Sequence, residues 1–380
     1  MLITPRYGDT ALADLMPSVL AVLGVPGETD RVGLGLAGID RVCVLLVDGM
    51  GADLLAAHPD EAPFLTGAAS RTLTAGFPST TAASLGSLGT GVPPGEHGVV
   101  GYLLAVPGQK RLMNPLKWRL HGQGPHVDLL KEVVPEEFQP GPTIFERAVD
   151  AGIAVTRVCP PYQAQSGLTR AALRGGNFRP NFSMGDLVDG AAKAMREGSK
   201  SLVYAYHGEL DLTGHARGPN SDAWALELAQ VDSMARLLAD RLPPDGALIV
   251  TADHGMVEIV EPVDFDSESV LQHGVARLGG EPRARHAYTT DGATHDVVQA
   301  WRSELGNEFM VVSRDDAVSR GWFGPSVTTR SADRIGDVIA VPTGSSAVIR
   351  SGAEPLQSRM IGHHGSLTQA EMLVPLRVVT

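Results

Sequence analysis

Six short apolar runs rich in β-branched residues punctuate the chain: RVCVLLV (41–47), IAVTRV (153–158), SLVYAY (201–206), ALIVTA (247–252), EFMVV (308–312) and DVIAV (337–341). Runs of this length without polar alternation suit strands covered on both faces. Helical periodicity lies between the first four. TIFERAVDAG and SDAWALELAQVDSMARLLADRL space their apolar positions at the helical repeat, and Asn220, Ser221 and Asp222 offer caps for the second. Strand–helix alternation predicts an α/β fold with a mainly parallel central sheet and helices on both faces. From 262 to 350 the texture changes to short strand-like pieces, turns rich in Gly, Arg and Ser, and one clear helical pattern, THDVVQAWRSEL. The expected organisation is a core built from 1–261 and 351–380, with 262–350 inserted as a smaller α+β subdomain.

Composition adds little to this picture, but charge adds something. With 43% hydrophobic residues in 380, a sizeable core can form. The net charge of −12 disfavours long polyanions, so no nucleic-acid polymer is expected as a partner. A bound metal would still let the protein hold one small anion. Cys43 and Cys159 sit in apolar runs and read as buried structural thiols. The opening MLITPRYGDT lacks a charged-then-apolar leader pattern, and no apolar run reaches spanning length. The expectation is a cytoplasmic protein without membrane contact.

Candidate chemistry clusters at the ends of the predicted strands. Asp48 follows the first strand in VLLVDGMG, where α/β proteins place ligand sites. Asp211 and His215 in HGELDLTGHARGP stand four apart, a spacing that puts both on one face of a helical turn. Gly214 and the Gly218-Pro219 pair argue against a long helix, so this segment is expected to be a structured loop. Asp253 and His254 end ALIVTADHGM. In a regular strand they would face opposite ways, but Gly255 lets the backbone break and turn both toward one ion. MIGHHGS adds His363 and His364. His and carboxylate ligands without thiolates suit zinc or another first-row divalent ion, manganese included. Six ligands exceed one tetrahedral zinc and match two ions, and a pair roughly 4 Å apart clamps the attacking and leaving oxygens of a phosphoryl displacement.

The stretch GFPSTTAASLGSLGTG (76–91) places Ser79, Thr80 and Thr81 behind Pro78 at an apparent helix start. A hydroxyl there feels a dipole that favours an anion, and a divalent ion would lower its pKa further, as a threonine nucleophile requires. A plain N-cap is the other reading of the same residues.

Taken in order, these motifs resemble the alkaline phosphatase superfamily, and within it the type I phosphodiesterase/nucleotide pyrophosphatase family. In that family the nucleophile lies nine residues before a Thr-Gly pair. Here the pair is Thr90-Gly91, which selects Thr81, with Thr80 as the alternative if a gap intervenes. The last ligand is a histidine directly before glycine, which selects His364 over His363. The resemblance implies that Asp211, His215 and His364 hold one ion and that Asp48, Asp253, His254 and Thr81 hold the other. Two Zn²⁺ against three carboxylates leave about +1 to receive an anion. Where the family often has a phosphoryl-binding asparagine, twenty-one residues past the nucleophile, this chain has Tyr102, a possible substrate contact or a packed aromatic. His97 resembles the family pattern and reads as structural. Arg283, Arg285 and His286 read as surface charge or as anion contacts.

The implied reaction is hydrolysis of a small phosphate ester or nucleotide through a covalent phospho-threonine. Alternatives are a phosphomonoesterase, a metal-dependent phosphomutase of the same superfamily, or a non-catalytic binding protein with metal as a staple. A sulfatase is disfavoured, because no Cys/Ser-x-Pro-x-Arg motif surrounds Thr81.

Overall fold

The computed structural model describes residues 2–67 and 70–380. In chain order the strands that matter are β1 (Arg41–Val47), β2 (Ser70–Thr74), β3 (Ala154–Cys159), β4 (Asn177–Pro180), β5 (Ser201–His207) and β6 (Gly246–Thr251). They continue with β7 (Val275–Glu281), β8 (Ala284–Thr289), β9 (Phe309–Ser313), β10 (Val338–Pro342) and β11 (Leu373–Val379). One seven-stranded sheet runs in the order β2-β11-β6-β1-β5-β3-β4. Pairings of β1 with β5 and β6, and of β3 with β4 and β5, are parallel, whereas β11 runs antiparallel to both its neighbours. This is the α/β fold with a mainly parallel central sheet. Every residue of β5 and β6 is buried, and all of β1 after Arg41, which is why these strands carry no polar alternation.

Register decides where the chemistry goes. Val47 sits opposite His207 on one side of β1, and Leu46 sits opposite Thr251 on the other. The carboxyl ends of β5, β1 and β6 are therefore level and adjacent, so the residues that follow each strand emerge into one crevice. Four helices matter for the site and its surroundings: α1 (Thr81–Thr90), α2 (Glu209–Arg217), α3 (Asp222–Ala239) and α4 (Thr294–Leu305).

The loop expected at 209–217 is a nine-residue helix, α2. Gly214 had suggested a break, yet it serves packing. A Cβ there would lie 2.4 Å from Met256 Sδ and 3.4 Å from Trp224 Cδ1, so any larger residue would have to displace Met256. Gly218, at φ 90°, then ends the helix ahead of Pro219.

Strands β7–β10 form a separate antiparallel sheet in the order β7-β8-β10-β9, with α4 packed on it around Trp301, Phe309 and Val338. Arg283, Arg285 and His286 are fully buried here, which corrects the surface-charge reading. Neither arginine is an anion contact. Arg283 donates twice to Glu371 at 2.7 Å and also to the Ser346 and Gly344 carbonyls. Arg285 donates to Glu354 Oε2 at 2.8 Å and to the Val348 carbonyl. Burial pushes the Glu354 carboxyl up, but Arg285 and His121 outweigh it and hold it down to about 2. The Arg283–Glu371 pair ties the β7–β8 turn to the segment leading into β11, and so joins the two sheets.

Cys43 and Cys159 are free and buried, and burial pushes both thiols up to about 12. Among the described residues no helix is long and apolar enough to cross a membrane.

Breaking one side of the Arg283–Glu371 pair strands a buried charge. Arg283→Met is expected to cost about 3–5 kcal/mol of stability, and Arg283→Met with Glu371→Leu to recover much of that. Urea denaturation of both variants measures the difference.

Candidate metal centre and nucleophile

Each side chain reaches the crevice for a local reason. Asp48 is the first residue past β1. Asp253 lies two past β6, where its Oδ1 accepts from the backbone N–H groups of Gly49 (3.1 Å) and His254 (3.0 Å). The turn at Gly255 is obligatory, because a Cβ would fall 1.9 Å from the Ala370 carbonyl oxygen. Asp211 and His215 share a face of α2, with Oδ2 and Nε2 3.3 Å apart. A short ladder pairing Gly362 with Glu258 and His363 with Val257 folds the C-terminal segment back over the turn after β6. His363 is part of that ladder, and His364, just beyond it, enters the site.

The six ligand candidates fall into two groups: Asp211, His215 and His364, and Asp48, Asp253 and His254. In each group the ligand atoms lie within 4.8 Å of one another. The rings of His254 and His364 stack at 3.6 Å between the groups. His363 is buried and belongs to neither.

The donor set fits divalent cations. Asp48 Oδ1, Asp211 Oδ1 and Asp253 Oδ2 are buried without a hydrogen-bond partner among the described residues, one orphaned oxygen per aspartate. All three histidines place Nδ1 on a backbone carbonyl: His215 on Gly362 (2.7 Å), His254 on Gly255 (2.9 Å) and His364 on Ser79 (2.9 Å). With that N–H donating outward, each Nε2 faces the crevice and, in the neutral imidazole, presents its lone pair there, the arrangement typical of metal-binding imidazoles. Tyr206 adds a hydrogen bond from its hydroxyl to Asp48 Oδ2.

Protonation shows the same demand for positive charge. Asp48 is pushed well above the usual carboxylate range by burial, then by Asp253 and Asp211. Asp253 is raised mainly by burial. Burial also pushes Asp211 up, but His215, His364 and His254 outweigh it and hold the group below its ordinary value. His215 is raised to about 9: burial opposes its charge, and the Asp211 carboxylate wins. Burial, then His254, holds His364 well below its ordinary value.

Thr81 opens α1, with Thr80 at the N-cap position. Thr81 Oγ1 lies 3.2 Å from His254 Nε2. Ser79 is fully buried, and its hydroxyl donates to the Ser366 carbonyl. Two cavities meet at Thr81. One, of about 230 Å³, is flanked by Leu85, Leu116, Tyr162, Leu168 and Tyr206. The other, of about 140 Å³, is flanked by Thr80, Tyr102, Glu281, Gln357 and Met360.

Tyr102 therefore lines the site. Its ring also packs on the cluster of Leu103, Ala105, Leu112 and Tyr288, and its backbone N–H donates to Glu281 Oε2 at 3.0 Å. Glu281 was not foreseen. Burial raises its carboxyl to about 8 and its Oε1 lacks a partner. Tyr206 was missed as well, although its place one residue from the end of β5 was a signal. His97 is a buried structural histidine, bonded to Ser87 Oγ and to the Val99 N–H.

Known proteins resemble this chain in sequence and fold. The chain spans less than half the length of the curated relatives it matches. Phosphopentomutase from Anaeromyxobacter dehalogenans (strain 2CP-C) is 31% identical over 179 residues, 45% of this chain and 43% of the relative. Murine ectonucleotide pyrophosphatase/phosphodiesterase 5 has the same fold, with a TM-score of 0.68 at 18% identity over 89% of this chain and 88% of that one. So does phosphonoacetate hydrolase from Sinorhizobium meliloti 1021, with a TM-score of 0.66 at 21% identity over 90% and 89%. The family model for type I phosphodiesterase / nucleotide pyrophosphatase matches residues 42–367, from β1 to just past His364. The chain thus belongs to the type I phosphodiesterase/nucleotide pyrophosphatase family, a hydrolase family of the alkaline phosphatase superfamily.

Proposed function

We propose that this protein hydrolyses small phosphodiesters or nucleotides through a covalent phospho-threonine on Thr81, at a centre that holds two divalent ions, zinc by the chemistry of its ligands. The observation that carries this reading is the convergence of three aspartate oxygens and three histidine Nε2 atoms beside Thr81 Oγ1. Bound there, a metal pair supplies Lewis-acid charge that acidifies the attacking hydroxyl or water and stabilises the departing oxygen.

The chain's own residues do the rest. Asp211, His215 and His364 would hold one ion, and Asp48, Asp253 and His254 the other. Thr81 Oγ attacks phosphorus in line, the bond to the leaving oxygen breaks, and a threonine phosphoester forms. Attack of water on that ester releases the product and returns Thr81, so two inversions give net retention. The first turn of α1 presents the positive end of its dipole to the charge that develops at Thr81. Tyr102 flanks the phosphoryl group. Support also comes from the murine relative, whose form inactivated by a threonine-to-alanine substitution was solved with AMP. A second reading, transfer of phosphate within a pentose phosphate, is favoured by the similarity to phosphopentomutase over 179 residues.

Thr81→Ala is expected to lower kcat on bis(4-nitrophenyl) phosphate at least about 10³-fold, as loss of a nucleophile does. Turnover like the wild type's would reject Thr81. With ribose 1-phosphate as substrate, a mutase yields ribose 5-phosphate, a monoesterase releases phosphate, and a diesterase leaves the monoester unconverted.

His364→Ala should cost upward of about 100-fold in activity at limiting zinc, and His363→Ala no more than about tenfold. Equal losses would undo the choice between them.

Metal uptake must deprotonate His215, whose pKa of about 9 keeps it charged at neutral pH. Zinc affinity should therefore rise with pH by about tenfold or more per unit up to about 9, then level off. Competition with a chromophoric chelator measures this, and affinity that is flat from pH 6 to 8 would count against the site.

A further inference from the structure

The two cavities at Thr81 have no lysine or arginine among their described lining residues. Close by, the opposite holds. A cleft of about 610 Å³ lies between the 110–123 loop and β7, lined by Lys110, Arg111, His121, Arg277 and Arg350. A second cleft of about 410 Å³ shares His121, Gly122, Gln123 and Ala353 with it and adds Lys117, Arg119 and His126. No acidic side chain is among the described lining residues of either. In a protein of net charge −12 this is a local reversal of sign.

Most of these charges are also without an ion-pair partner among the described residues. Among the described residues, only Arg350 of the six lysines and arginines pairs with a carboxylate, Asp266 at 3.1 Å. Several are held in place by neutral contacts instead. Arg111 donates to the Gln123 and Pro125 carbonyls. Arg277 lies over the Tyr288 ring at 4.8 Å and donates to the Gln109 carbonyl. These contacts occupy at most two of the five N–H donors of each guanidinium, and leave the charge unneutralised. Fixed guanidinium groups converging from segments far apart in sequence make a preorganised anion site.

We propose that these neighbouring clefts bind a small polyanion, a molecule carrying several phosphate, sulfate or carboxylate groups, outside the two cavities at Thr81. The concave shape suits a small molecule better than an extended polymer. His121 forms the boundary: it lines both clefts, and its ring meets Tyr102 of the catalytic cavity edge-on at 6.4 Å. The inference does not depend on the function proposed above.

The probe is myo-inositol hexasulfate, whose sulfate esters bind divalent metals weakly, titrated calorimetrically into the full chain with its metals. Expected is 1:1 binding at 50 mM salt that weakens steeply as salt is raised. Lys110→Glu with Arg277→Glu, or Lys117→Glu with Arg119→Glu, should weaken it at least tenfold. These residues lie at the cleft surface, so turnover of bis(4-nitrophenyl) phosphate should stay within twofold of wild type. No binding, or binding that survives both double reversals, overturns the proposal. Binding lost in the reversals but competitive with AMP would make the cleft an extension for an anionic substrate tail. Binding lost in them and non-competitive would make it an independent ligand site. Both outcomes keep the polyanion site, and neither bears on whether Thr81 is the nucleophile.

Discussion

Three aspartates buried within a few ångströms of one another are the constraint around which this structure is arranged. Each leaves one oxygen without a partner, and Asp48 rises well above the usual carboxylate range because burial and its neighbours oppose its charge. Such a cluster is stable only where positive charge offsets it. His215 meets part of that demand by pairing with Asp211, and divalent cations would meet the rest. The surrounding features serve the same arrangement. Nδ1–H groups point outward to carbonyls, Asp253 Oδ1 is fixed by two backbone N–H groups, and Gly255 turns where no other residue fits.

Sheet register makes the cluster possible. Because β1 lies between β5 and β6 with level carboxyl ends, residues more than a hundred positions apart emerge together. The remaining ligand comes from the other end of the chain, brought in by the ladder between 257–258 and 362–363. The smaller sheet is joined to this core by the buried Arg283–Glu371 pair, and the end of β7 delivers Glu281 to the cavity beside Thr81. Damage to that junction would thus reach the site as well as the stability.

The resulting surface separates two electrostatic regions. The cavities at Thr81 have no lysine or arginine among their described lining residues, so positive charge there would come from metal, whereas the clefts beyond His121 carry it on lysine and arginine. An acidic protein that repels polyanions overall thereby keeps two local places where anions are favoured, with the Tyr102–His121 contact between them.

Much of this was legible in the residues alone. The long apolar strands, α3 and α4 follow from periodicity, because burial on both faces or on one face writes itself into local spacing. Asp48, Asp211, His215, Asp253 and His254 stood out because ligand chemistry needs particular side chains at strand ends and turns, whereas the choice of His364 over His363 came from the family resemblance. What local pattern could not carry was contact between distant segments. Gly214 looked like a helix breaker, and only the approach of Met256 shows that it makes room for packing instead. Arg283 and Arg285 looked like surface charge, since nothing nearby in sequence announces Glu371 or Glu354 as partners. Glu281 and the basic clefts were invisible for the same reason. Propensity and periodicity are set by neighbours along the chain, whereas burial, ion pairing and the convergence of charge are set by neighbours in space.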